Sequence, residues 1–204
     1  MKSSFHNRLY NFLQRKWQQF LSVLQTRASY CIFKFQDVKI GKKCVFKGMA
    51  DFSVGNGGEI VIGDNCTFIS SETLNRIGLY HRCMFTATPF AEDAVCSIHI
   101  GNNCGFSGTS VWCFHKIIIG DNVRCGANTL IMDGDAHFDD PRTSLPKPIV
   151  IKDNVFLGAN VVVKKGVTIG ENSVIGMNSV VTKDIPANCI AVGNPCGVIK
   201  YIQL

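Results

Sequence analysis

From Ile151 onward the apolar and polar positions repeat in blocks of six: "IKDNVF", "LGANVV", "VKKGVT", "IGENSV", "IGMNSV" and "VTKDIP". The same register opens at Ile119 ("IGDNVRCGANTL"), at Ile100 ("IGNNCG"), at Ile62 ("IGDNCT") and more loosely at Ile40 ("IGKKCV"). A period of six matches neither an amphipathic helix nor an isolated alternating strand. It matches short strands joined by turns, in which the opening aliphatic residue points inward. Gly, Asp and Asn then fill turn positions whose backbone a β-branched residue would resist. Three hexapeptides close one coil, so Ile151 is expected to stack on Ile169 and Leu157 on Ile175. One coil cannot bury its own apolar face, whereas a stack can. The pattern predicts an all-β domain, a parallel β-helix, over residues 31–204.

Departures from the period locate loops. Ile100 to Ile119 is 19 residues, one more than a coil, and Ile131 to Ile151 is 20 where six would keep the register. The second gap predicts an excursion over about 132–148. It carries "DGDAHFDDPR", four aspartates and a histidine between Asp133 and Asp140. A loop held against a rigid wall is a common place for chemistry.

Residues 1–30 read differently. Phe5, Leu9, Phe12, Leu13, Trp17, Phe20, Leu21 and Leu24 fall at helical spacing, with Arg8, Arg15 and glutamines over much of the remaining surface and Lys16 close to the apolar stripe. Two readings of this amphipathic helical segment stand open. It caps the first coil against edge pairing, or it lies on a membrane surface.

Composition sharpens this division. The net charge of +6 invites a nucleic-acid reading, but five basic residues and no acidic one sit in residues 1–30, leaving sixteen basic against fifteen acidic in the other 174. No nucleic-acid partner is expected of the main domain. Ten cysteines lie in a chain with no signal-peptide pattern, and Cys44, Cys66, Cys104 and Cys125 occupy small or aliphatic slots of the repeat. They read as core filler, not as metal or redox ligands. The expected setting is cytoplasmic, with reduced thiols, or peripheral at the inner face of a membrane if the helix binds lipid.

The repeats, the "DGDAH" segment after "IGDNVRCGANTLI", the Pro-bearing loop to Pro148 and the closing "AVGNPCGVIKYI" together resemble the hexapeptide-repeat acyltransferases. The nearest branches are the maltose/galactoside and polysaccharide-biosynthesis sugar O-acetyltransferases. The resemblance covers about residues 38–203, and Cys196 stands where that family commonly has Ala. It implies a left-handed β-helix, which the general crossover rule would not predict. It also implies a homotrimer about the coil axis, an acyl-coenzyme A site between subunits and acetyl-CoA as donor.

The expected reaction is O-acetylation of a sugar, free or lipid-linked, in surface polysaccharide or lipopolysaccharide biosynthesis. A hydroxyl is a poor nucleophile while it keeps its proton, and imidazole can accept that proton as the bond forms. His137 is the candidate base, with Asp133 or Asp135 to orient its ring; no Ser or Cys nucleophile is required. His115 is a candidate for the acceptor pocket, and Trp112 and Phe114 for a stacking surface. For the coenzyme, the resemblance points to Gly158, Ala159, Gly176 and Met177 along a coil edge, with Lys164, Lys165 and Lys183 as cations for the phosphates. The alternatives are N-acetylation of an amino sugar or nucleotide sugar, serine O-acetylation, and a non-enzymatic scaffold. A metal-dependent hydratase on the same coil would need a close histidine pair that His81, His99, His115 and His137 do not supply.

Overall fold

The computed structural model describes residues 5–75 and 77–203. The side chains of Phe5 and His6 lie outside that set, and with them the stripe position expected of Phe5. After a helix, α1 (Phe5–Phe35), short strands wind into a prism with three parallel faces. The first face runs from Lys39–Ile40 through Gly58–Ile62, Cys96–Ile100, Lys116–Ile119 and Ile149–Ile151 to Thr168–Ile169. The second runs from Val45–Lys47 to Val174–Ile175 and ends in an antiparallel pair, Cys189–Gly193 with Cys196–Tyr201. The third runs from Asp51–Val54 to Val180–Val181. This is the left-handed parallel β-helix of hexapeptide repeats. Ile151 pairs with Ile169 and Leu157 with Ile175, the stacking that an 18-residue coil demands.

Asn at the corners makes the turns cheap. Between the first and second faces, Asn65, Asn103, Asn122, Asn154, Asn172 and Asn188 all take φ of 56–59°, and Asn128, Asn160 and Asn178 do the same between the second and third. Asn enters this left-handed region at lower cost than most side chains. Its amide then bonds the coil above: Asn154 donates to Asn172 at 3.0 Å, and Asn160 to Asn178 at 3.0 Å.

Inside the prism the filling changes along the axis. Early coils bury Phe46, Phe52, Phe68, Phe85 and Phe106, while late coils bury Leu157, Val163, Ile169, Ile175 and Val181. Cys44, Cys66, Cys104 and Cys125 are buried among them, as their slots require. Each of the first three thiols donates to a carbonyl in the next coil, at 3.3, 3.3 and 3.1 Å. Its hydrogen bond to Cys104, together with burial, pushes the Cys66 thiol up to about 12, which keeps it protonated and inert.

The end of α1 closes the first coil. Phe33 packs on Phe52 at 4.5 Å and on Phe46 at 5.4 Å between ring centroids. Backbone amides of the first coil donate to this helix: Gly48 to Gln25 at 2.8 Å, Phe46 to Thr26 at 2.9 Å and Cys44 to the Tyr30 hydroxyl at 3.1 Å. An otherwise open sheet edge is thereby satisfied. Residues 133–148 leave the wall between Leu130–Met132 and Ile149–Ile151. Two further excursions, residues 70–83 and 88–95, lie in the stretch from Ile62 to Ile100, where the hexapeptide pattern signalled no break.

Candidate active site

The loop 133–148 projects from the corner between the third and first faces. It is rooted by a buried carboxylate. Ile131 points into the core, and strand alternation turns Asp133 inward as well, where it is 0% exposed. It accepts hydrogen bonds from three successive backbone amides of the preceding coil's turn: Phe114 at 2.7 Å, His115 at 2.9 Å and Lys116 at 2.7 Å. The Cys113 thiol donates to the same carboxylate at 3.4 Å. These charge-assisted bonds lock the 113–116 turn to the root of the loop.

Asp135 reaches the other way. Its carboxylate pairs with Lys165 of the following coil, whose ammonium also donates to the Ser144 carbonyl at 2.9 Å, and Lys164 stands at 4.0 Å. The hydrogen bond from Lys165 holds the Asp135 carboxyl below its ordinary range. Both aspartates proposed to orient His137 thus have other partners: Asp133 binds backbone amides and Asp135 binds lysine. Among the described residues the His137 ring makes no hydrogen bond, and the side chain is exposed.

The backbone around that ring is held nonetheless. Ala136 adopts φ 63°, a left-handed conformation uncommon for a residue with a Cβ. Thr143 donates its hydroxyl to the His137 carbonyl at 2.7 Å, and the Asp140 amide donates there at 3.2 Å. Phe138 wedges edge-on against Phe114 at 5.0 Å and against Phe90 at 5.8 Å. Phe114 is therefore buried packing beneath the loop, while Trp112, tilted against it at 4.9 Å, stays exposed. Its indole borders a groove of about 310 Å³ on the third face, lined also by Met84, Thr86, Ser110 and Leu130. His115 is exposed on the clamped turn.

The residues expected to meet the coenzyme divide between two corners. Lys164, Lys165 and Lys183 share the corner of His137, but the pairing with Asp135 occupies Lys165 and leaves its side chain 14% exposed. Gly158, Ala159, Gly176 and Met177 lie on the corner between the second and third faces. There Ala159 is buried with Leu79 of the 70–83 excursion and Ala127, so it is covered by its own chain. The glycines have packing reasons. A Cβ at Gly158 would lie 2.7 Å from the Met177 amide nitrogen, and one at Gly176 would lie 2.6 Å from Val192 Cγ1. Met177 itself is exposed, and among the described residues its amide finds no acceptor.

Sequence reasoning offered Asp133 or Asp135 as the residue that orients the His137 ring. The signal for the real contacts of Asp133 was available, because a position two residues beyond an inward isoleucine also faces inward and must find donors. Phe138, which anchors the loop, carried no periodic signal at all.

A coil of hexapeptides with a histidine-bearing loop at one corner defines a recognisable class of protein. A model described as the hexapeptide repeat of succinyl-transferase matches residues 148–183. Galactoside O-acetyltransferase of Escherichia coli is 46% identical over 113 residues, covering 52% of this chain and 55% of that one. The enzyme of the same name from Lactococcus lactis is 45% identical over 92 residues, covering 43% and 44%. The chain spans about half the length of the curated relatives it matches. Among solved structures, a galactoside acetyltransferase in complex with coenzyme A superposes with a TM-score of 0.50 at 28% identity, over 81% of this chain and 65% of that one. A hexapeptide-repeat-containing acetyltransferase from Vibrio cholerae, complexed with acetyl coenzyme A, gives 0.54 at 23% identity over 86% and 76%, a likeness of fold. The chain belongs to the hexapeptide-repeat acetyltransferase family and is related to its maltose/galactoside-type sugar O-acetyltransferases.

Proposed function

We propose that this protein is an acetyl-CoA-dependent O-acetyltransferase that acts on a sugar hydroxyl, with His137 as general base. The observation that carries the reading is an exposed imidazole, free of hydrogen-bond partners among the described residues, on a loop fixed at its root by Asp133 and along its length by Asp135. Such a ring is available to a substrate and is already positioned. His137 takes the proton of the attacking hydroxyl as the new carbon–oxygen bond forms. It returns that proton to the departing thiol as the carbon–sulfur bond breaks.

Asp133 and Asp135 serve as positioning residues for the loop. The exposed Trp112 offers a face on which a sugar ring stacks. Lys164 and Lys183, both exposed, are the cations suited to coenzyme phosphates, and the Met177 amide is a donor suited to a pantetheine carbonyl.

These two groups belong to different corners of one prism. A face of three or four residues, at roughly 3.3 Å each, separates them by about 12 Å. A site that uses both is completed by a second copy, which supports a homotrimer with the site between subunits.

The reading is tested by incubating the purified protein with acetyl-CoA and a panel of sugars, lipid-linked sugars, amino sugars, nucleotide sugars and serine, with product masses determined. An O-acetylated sugar is expected. Acetylation confined to amines or to serine would replace this reading by another acyltransferase. Binding of neither coenzyme A nor any acceptor by the assembled protein would move it out of the enzyme class.

A further inference from the structure

The helix α1 turns its polar side toward its own protein. Gln18, Leu21, Ser22, Gln25, Thr26, Ser29, Tyr30 and Phe33 are its half-buried and buried positions, and all but Leu21, Tyr30 and Phe33 are polar. From Gln25 onward this stripe bonds the first coil, and nearer the N-terminus Gln18 and Ser22 face the turn at Leu74. The opposite side carries the large apolar residues. Leu13 is 56% exposed, Trp17 60%, Phe20 54% and Leu24 46%, with Leu9, Tyr10 and Val23 flanking them. The amphipathic pattern is therefore inverted relative to a helix that buries its apolar face against its own domain. Capping and an exposed apolar face thus belong to different parts and sides of one helix, so capping does not exclude the membrane-surface reading.

Charge selects the occupant of that face. Residues 5–35 contain Arg8, Arg15, Lys16, Arg27 and Lys34 and no acidic residue. At helical spacing Lys16, Arg27 and Lys34 fall within the apolar sector, so a second copy of the helix would bring like charges into contact. An anionic lipid surface instead meets both features, taking the aromatic and leucine side chains below the headgroups and the ammonium and guanidinium groups at their level. Among the described residues no helix is long and apolar enough to cross a membrane, so the helix would lie in the surface plane. From Leu9 to Leu24 its exposed apolar residues form a strip about 24 Å long.

We infer that α1 is a peripheral membrane anchor that docks the first-coil end of the β-helix onto an anionic lipid bilayer. The loop 133–148 leaves the fourth coil, and three coil spacings of roughly 4.8 Å put its root about 14 Å along the axis from that end. The candidate site would then stand above the headgroups, open to the aqueous side.

The test is co-sedimentation of the full chain with phosphatidylcholine vesicles, with and without phosphatidylglycerol, comparing wild type with Phe20→Glu/Leu24→Glu and with Lys16→Glu/Arg27→Glu. These side chains point away from the first coil, and unchanged circular dichroism and acetyl-CoA turnover serve as the folding control. Wild type is expected to sediment with the anionic vesicles only. Each double variant is expected to weaken that binding by about tenfold or more, since both apolar burial and charge contribute. Equal sedimentation of wild type and variants would overturn the inference, as would no vesicle binding by wild type. It would also be overturned if the apolar double variant lowered the oligomeric state and left vesicle binding unchanged, because the face would then be a contact between copies.

Discussion

The first three coils and the last two build the same prism from different materials. Between Lys39 and Cys113 the axis is filled with phenylalanine, and the rings stack from coil to coil. Phe46 and Phe68 are 4.8 Å apart, Phe68 and Phe106 5.2 Å, and Phe52 and Phe85 4.9 Å, with the first and last pairs within 8° of parallel. Those distances are close to the spacing of hydrogen-bonded strands, so a ring on each coil meets the next without leaving register. Between Ile149 and Val181 the same positions hold leucine, valine and isoleucine, and no excursion interrupts the turns. The insertions 70–83 and 88–95 both fall among the aromatic coils. The candidate site sits at the junction, with Asp133 holding the loop to the aromatic side and Asp135 holding it to the aliphatic side.

The largest expected effect comes from breaking the aromatic ladder. Phe68→Ala removes a fully buried ring that touches four others and should cost about 3–5 kcal/mol. Because a solenoid is coupled mainly between neighbours, hydrogen exchange should accelerate in residues 39–113 while residues 149–181 keep their protection. Uniform loss of protection along the whole axis would show that the two halves are one cooperative unit.

Asp133→Ala comes next. It strands three backbone amides at the junction and should destabilise by roughly 3 kcal/mol, read by thermal denaturation, with exchange faster at Phe114, His115 and Lys116. A smaller change would mean that water or a neighbouring group replaces the carboxylate.

The smallest effect concerns the forward tie and has a defined pH window. Since Lys165 lowers the Asp135 pKa in the folded protein, the pair contributes stability above the ordinary Asp value of 3.8, and that contribution is lost as pH falls through the lower folded value. Limited proteolysis at residues 133–148 should therefore be slow at pH 6 and faster once the pH falls well below the ordinary Asp value of 3.8. Lys165→Met should already be cleaved faster at pH 6, with the late coils intact.

Where the core is aliphatic, the fold was legible in the sequence almost residue by residue. A constant side-chain volume every six positions is the condition for a regular coil, and the isoleucines, the Asn turns and the buried cysteines all obey it. The early coils were harder to read because phenylalanine replaces aliphatic residues and two insertions hide the period between Ile62 and Ile100. The site was legible as a location and less so as a set of contacts. His137 and its loop follow from the break in register, whereas the partners of Asp133 and Asp135 come from neighbouring coils at separations no local motif encodes. The helix posed a different difficulty. Its apolar stripe was plain, but which side faces the protein depends on the amides of the first coil, which the Gln25, Thr26 and Tyr30 side chains satisfy.

The proposed reaction depends on His137. Its most direct test is the rate of acetyl transfer to the best acceptor by wild type and His137→Ala, at equal oligomeric state and with coenzyme A affinity measured in parallel. A fall in kcat of about 10²-fold or more with coenzyme affinity unchanged is the predicted result, since general-base assistance is typically worth that much. Turnover near the wild-type rate in the folded variant would contradict the assignment and return the base to another residue of the loop or to His115.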